Sequence, residues 1–261
     1  LQVEFRLFLG RGTAGGRAGQ AVDILFIRPT GSAPHIQAYR EFGRPRDETD
    51  ARRRRDLANF LHEGDLPEGV FAGATAIAID SETMGLRLGR DPLCVVQLSS
   101  GDGDAHVVRL DRSTYDAPNL KRLLTDPSVV KLFHFGRFDI AMFLLHLGVM
   151  TAPVYCTKIA SKLARTYTDR HGLKDVTREL IGVELSKVQQ SSDWGAAVLS
   201  PEQVAYAASD VLHLHALRER LNAMLVREGR MELAQAAFDY LPHRAALDLA
   251  GWEDIDIFAH S

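Results

Sequence analysis

Thr75-Ala76-Ile77-Ala78-Ile79-Asp80-Ser81-Glu82 is an apolar run that closes on two acids. The run has no turn residue inside it and predicts a buried strand. Side chains two apart in a strand share a side. Asp80 and Glu82 therefore present two carboxylates together at the strand's C-terminal end. Two further acids are candidates to join them. Asp139 lies in the first turn of a helix striped by Ile140, Phe143, Leu144 and Leu147, and Asp210 lies one helical turn after Tyr206. Taken singly, each acid reads as a turn or cap residue. Taken together with the tyrosine they read as a site. Four gathered carboxylates repel one another, divalent cations relieve that repulsion, and hard oxygen ligands suit Mg²⁺ or Mn²⁺.

Working outward from this strand, Leu93 to Leu98 and Ala105 to Leu110 read as two more strands, separated by the hairpin signal Gly101-Asp102-Gly103-Asp104. Asn119 to Leu124 reads as a short helix and Val129 to Phe133 as a fourth strand. The Asp139 helix runs from Phe138 to Leu147 and stops at Gly148; others cover 157–164 and 173–181. The Tyr206 helix opens on Ser200, Pro201 and Gln203, a capping box, and its pattern continues to Glu228. A last helix covers 231–240, before Pro242. Strands first, then helices with another strand or two, imply an α/β domain with a mixed central sheet flanked by helices.

Residues 1–56 differ in composition, with Gly/Arg-rich stretches and the run Arg52 to Arg55. Only Val22 to Ile27 suggests a strand there, with no obvious partner. The segment reads as a flexible or non-native extension, with a basic RNA-binding arm as the alternative, and 57–261 as the folded domain. Its 11 arginines against 7 acids give a surplus of four; with the whole chain at −3, the rest carries −7. That balance argues against long tracking along nucleic acid, but not against gripping a few nucleotides at one end. Cys94 and Cys156 form neither a disulfide framework nor a zinc pattern, and no apolar run has membrane-spanning length. A reducing cytoplasm and no membrane partner are expected. His213 and His215, two apart on a helix, do not face one another and are no metal pair.

Asp80-Ser81-Glu82-Thr83, Phe138-Asp139 and Tyr206-Ala207-Ala208-Ser209-Asp210 resemble, in order and spacing, the three motifs of the DEDDy 3′→5′ exonucleases, and the chain looks like ribonuclease D within that group. The resemblance covers about residue 60 to the C-terminus. It implies a ribonuclease-H-like (DnaQ-like) fold. Ribonuclease D proteins carry helical nucleic-acid-binding domains after the catalytic one, and the residues after the long helix are too few for such a domain, so a stand-alone catalytic domain is expected. The resemblance further implies two divalent cations, Mg²⁺ or Mn²⁺, with Asp80 shared between them, Glu82 and Asp210 on the first and Asp139 serving the second. Tyr206 would orient the attacking water; its bland role is an aromatic that packs the helix on the sheet.

Other assignments also rest on the resemblance. Thr83 would lie near the terminal ribose, and Met84 and Leu86 would wedge against the terminal base. His134 would sit near the scissile phosphate; polymerase-type relatives carry Asn one position later, where this chain has Phe135. Lys187, Gln190, Ser192 and Trp194 match a groove-lining segment, in which Trp194 either stacks on a nucleotide or simply packs. Arg137 and Lys174 read as phosphate contacts or, more simply, as solvated surface cations. The expected activity is removal of nucleoside 5′-monophosphates from single-stranded RNA 3′ ends, as in processing of tRNA or other structured RNA precursors. The same chemistry on DNA, or an inactive nucleic-acid-binding module on the same fold, are the rivals.

Overall fold

The computed structural model describes residues 58–185 and 192–260, and in addition the backbone of three strands, Leu9–Gly10, Val22–Phe26 and Ile36–Glu41. Numbering from the N-terminus, these three are β1, β2 and β3. They are followed by β4 (Ala58–Glu63), β5 (Ala76–Thr83), β6 (Leu93–Ser99), β7 (Ala105–Arg109), β8 (Val130–Phe133) and β9 (Val154–Cys156). One mixed sheet contains them in the order β1-β2-β3-β4-β7-β6-β5-β8-β9. β5 is the hinge of the pattern, antiparallel to β6 and parallel to β8. Its first four residues are buried, as the apolar run predicts, and the strand continues through Asp80 and Glu82 to Thr83, with a register shift between Glu82 and Thr83.

The helices are α1 (Pro118–Thr125), α2 (Arg137–Met142), α3 (Thr157–Ala164), α4 (Leu173–Ile181), α5 (Pro201–Val211), α6 (Leu214–Arg227) and α7 (Met231–Leu247). α2 runs on as a π-helical turn, Phe143–Leu147, and ends at Gly148, as α4 ends at Gly182; both glycines are left-handed, φ 70° and 72°. The main core packs β5, β6 and β8 against α2, α3, α6 and α7. A smaller cluster, Leu61, Cys94, Val95, Val107, Trp194, Leu199, Val204 and Ala207, seats α5 on the sheet. Both cysteines are buried and free. Among the described residues no helix is long and apolar enough to cross a membrane.

The structure departs from the sequence reading in four places. The Tyr206 helix does not reach Glu228 in one piece: it breaks at 212–213 into α5 and α6. The last helix does not stop before Pro242 but carries it inside and runs to Leu247. Four strands lie outside the sequence reading, β1, β3, β4 and β9; β1 and β9 are only two and three residues long, and β4 shows no strict in–out alternation. Finally, Val22–Phe26 has partners on both sides, Leu9–Gly10 and Ile36–Glu41, and the latter pairs onward with β4.

Candidate active site

β5 carries Asp80 and Glu82, and α5 brings Tyr206 and Asp210 against it. α5 starts where it does because Ser200 Oγ accepts from the Gln203 amide at 3.2 Å while Gln203 Oε1 accepts from the Ser200 amide at 2.9 Å. From that start, Tyr206 and Asp210 fall one turn apart on one face. Carboxylate oxygens of Asp80, Glu82 and Asp210 lie within 4.8 Å of one another. Asp139, in the first turn of α2, is buried beside them and accepts from Ser81 Oγ at 2.5 Å. Gln97, fully buried on β6, donates to Asp80 Oδ2 at 3.0 Å. The sequence thus located all four acids, but not Ser81 or Gln97, which hold two of them in place. A glutamine inside the apolar run of β6 was the visible signal for the second.

The electrostatics of this cluster are unfavourable as they stand. At about 5 Å, two carboxylate charges repel by about 3 kcal/mol at an effective dielectric near 20. Burial, and then Asp210 and Asp139, push the Glu82 carboxyl up to about 9. Burial pushes Asp210 up to about 7 and Asp139 up to about 6. Asp80 is raised well above its ordinary range, by burial first and then by Asp139, Asp210 and Glu82. The Tyr206 hydroxyl hydrogen-bonds Asp210; burial and the carboxylates push its phenol above the ordinary value. Oxygen-only ligands, close spacing and uncompensated charge fit a divalent cation held by Asp80, Glu82 and Asp210.

The acids open onto a cavity of about 860 Å³. Asp80, Glu82 and Asp139 line it together with Thr83, Met84, Leu86, His134, Ser192 and Trp194, so the described candidates for substrate contact share one space. Tyr206 and Asp210 reach the carboxylates from the α5 side without lining the cavity. Leu86 and Met84 are exposed, the apolar character a wedge requires. Met84 sits hard against Gly195, where a Cβ would stand 2.7 Å from its Sδ. Thr83 Oγ1 donates to the Gly85 carbonyl. Lys187 and Gln190 lie outside the described residues.

His134 is enclosed. The Thr157 hydroxyl donates to the Phe133 carbonyl, so His134 Nδ1 donates to Thr157 Oγ1 at 2.8 Å. Burial, then the Lys158 charge, push its imidazole down to about 3, which keeps it neutral. Trp194 is 3 % exposed, its ring 6.1 Å from that of Tyr206, which favours packing over stacking. Arg137 is neither a free phosphate contact nor a solvated cation. It grips Asp248 with two bonds, 2.5 and 2.7 Å, and donates to the Glu253 carbonyl. That clamp brings Asp248, Glu253 and Asp254 into the cavity lining, a wall that no local sequence signal announced.

Comparison with known proteins agrees with this arrangement. A sequence family described as 3′-5′ exonuclease matches residues 65–226. A ribonuclease D from Acidiphilium cryptum is 38 % identical over 156 residues, 60 % of this chain and 39 % of the relative. The chain thus spans well under half the length of that curated relative. A solved structure of the apo form of a nuclease is 60 % identical with TM-score 0.76, over 77 % of this chain and 98 % of that one. Brucella melitensis NrnC, solved with bound Mg²⁺, is 54 % identical with TM-score 0.74 over the same shares, and NrnC bound to pGG is 55 % identical with TM-score 0.75. The exonuclease family is divalent-metal-dependent, and the chain shares a ribonuclease-H-like sheet with these structures. Similar to ribonuclease D over 156 residues, the chain belongs to the 3′-5′ exonuclease family.

Proposed function

We propose that this chain hydrolyses RNA from its free 3′ end and releases nucleoside 5′-monophosphates, using two Mg²⁺ or Mn²⁺ ions. The observation that carries this reading is the uncompensated trio Asp80, Glu82 and Asp210, with Tyr206 beside it and Asp139 behind Ser81. Two bound cations supply activation of water, stabilisation of charge on the phosphoryl group and stabilisation of the leaving oxygen. Asp80 would be a ligand for both ions, with Glu82 and Asp210 holding the first and Asp139 serving the second. Tyr206 keeps its proton through the neutral range and orients the attacking water through its hydroxyl. The water oxygen bonds to phosphorus, the bond from phosphorus to the penultimate O3′ breaks, and that oxygen leaves as the new 3′-hydroxyl.

Thr83, Met84, Leu86, His134 and Ser192 are the substrate contacts of this reading, with Lys187 and Gln190 from the neighbouring segment. Trp194 supports the Tyr206 ring. The ribonuclease D likeness favours RNA, including tRNA or other structured precursors. The NrnC structure with pGG favours a second reading, in which the RNA is very short. Two buried free thiols suit the reducing cytoplasm. The test is to incubate matched RNA and DNA oligomers, 5′-labelled or 3′-labelled, with Mg²⁺ or Mn²⁺. A ladder from the 5′ label and mononucleotide from the 3′ label are expected, with loss of both in EDTA and strong slowing by a 3′-phosphate. Cuts within a circular RNA would overturn the exonuclease reading. Equal or faster laddering of DNA would remove the RNA preference alone.

A further inference from the structure

Phe135 is the one cavity-lining residue whose conformation and exposure are both at odds with ordinary packing. It follows β8 and sits at φ 72°, a left-handed conformation that strains a bulky side chain. Its position is forced. The next residue, Gly136, packs so tightly on Phe133 that a Cβ there would stand 2.6 Å from that ring's Cβ and Cγ. The chain must turn sharply here to set Asp139 at the start of α2, and Asn or Gly would make that turn without strain. A phenylalanine is present instead, and it belongs to neither hydrophobic cluster. It is 48 % exposed and lines the same cavity as Asp80, Glu82, Asp139, Met84 and Leu86. The Lys158 ammonium, from α3, lies 4.2 Å from the ring centroid and covers one face.

Resting on the exonuclease reading, we propose that Phe135 is a stacking platform for a nucleobase of the bound RNA, and that Lys158 meets a phosphate of the same strand. Every base offers a π-face, so the contact is tolerant of sequence. The ammonium beside the ring supplies a phosphate partner next to a cavity whose lining arginine, Arg137, is already held by Asp248.

The test reads binding and cleavage separately. Binding of a non-hydrolysable phosphorothioate RNA trinucleotide is measured by fluorescence anisotropy in Ca²⁺, and cleavage of the ordinary trinucleotide in Mg²⁺. Phe135→Ala should weaken binding by about 5- to 100-fold and raise KM in step, with kcat little changed. Phe135→Asn suits the left-handed turn, so it should keep the fold and show the same loss, while Phe135→Trp should restore affinity. Removing the base at one of the two 3′-terminal positions should erase the difference between wild type and Phe135→Ala. Lys158→Ala should reduce the salt dependence of binding by about one counterion. Unchanged affinity in Phe135→Asn, or an equal loss with both abasic trinucleotides, would overturn the stacking role. RNA that binds through Phe135 but is never cleaved would leave stacking in place and overturn the exonuclease reading instead.

Discussion

Two groups of acids, one lining the cavity and one lining or adjoining it, are treated in opposite ways. Asp248 is gripped by Arg137 at 2.5 Å and by Arg244 at 3.1 Å, and its charge is fully partnered. Asp80, Glu82, Asp139 and Asp210 receive hydrogen bonds from Gln97, Ser81 and Tyr206, but among the described residues none of them pairs with an arginine or lysine. Enclosing a charge costs several kcal/mol unless something offsets it. Where the protein supplies the offset, the acid is part of the framework, holding the C-terminal segment against α2. Where it does not, the offset comes from outside. The contrast separates structural from functional carboxylates by their partners, which acidity and burial alone do not do.

The largest expected effect tests this contrast directly. Asp80→Asn should remove nearly all turnover under single-turnover conditions, while the metal-free protein keeps its Tm or gains a little as repulsion falls. Asp248→Asn should do the reverse. It breaks a largely enclosed ion pair and should cost about 3 kcal/mol of stability, the low end of the usual range because Arg137 is partly exposed. Cleavage per folded molecule should survive. Equal losses of activity in both variants would end the distinction.

Tyr206→Phe comes next. The ring and its contact with Trp194 remain, and only the hydroxyl goes. Turnover should fall by roughly 10- to 10³-fold with RNA affinity nearly constant. A wild-type rate would leave Tyr206 as a packing residue.

A smaller effect should appear in the stability of the metal-free protein. Glu82 rises in the fold from 4.5 to about 9, so the folded state holds a proton that the unfolded chain gives up. Its contribution is complete below about pH 4.5 and is lost as pH rises to about 9. His62 is pushed down to about 4, by burial and then by His106, so its contribution is constant above its ordinary 6.5. Between pH 6.5 and 9, thermal melts in EDTA should show wild type losing stability relative to Glu82→Gln. That comparison cancels the opposite drift of buried Lys131, which burial pushes down to about 8. Saturating Mg²⁺ should abolish the difference; parallel melts with and without metal would contradict an uncompensated cluster.

The smallest effect is expected at the other end of the sheet. A chain beginning at Ala58 should melt close to the full chain and cleave short oligomers at a similar rate. The pairing of Ile36–Glu41 with β4 sharpens this test, since truncation exposes the β4 edge. Lost stability would make β1–β3 part of the sheet's support. Lost affinity with weaker salt dependence would make Arg52 to Arg55 a phosphate-binding arm.

The amino-acid sequence alone determined the elements whose cause is local. The apolar run of β5, the capping box of α5 and the glycine stops of α2 and α4 each follow from neighbouring residues, and so do the positions of Asp80, Glu82, Asp139, Tyr206 and Asp210. The break after Val211 and the passage of α7 through Pro242 were not legible, because side-chain packing overrides propensity there. Tertiary structure alone decided which acids stay unpaired. Arg137 and Asp248 are 111 positions apart, and nothing near either one marks them as partners. The same holds for Phe135, whose exposure and strain exist only once Gly136 is pressed against Phe133. A residue's chemical type is written in the chain, but whether its charge or its ring is already satisfied depends on what folding brings within a few ångströms of it.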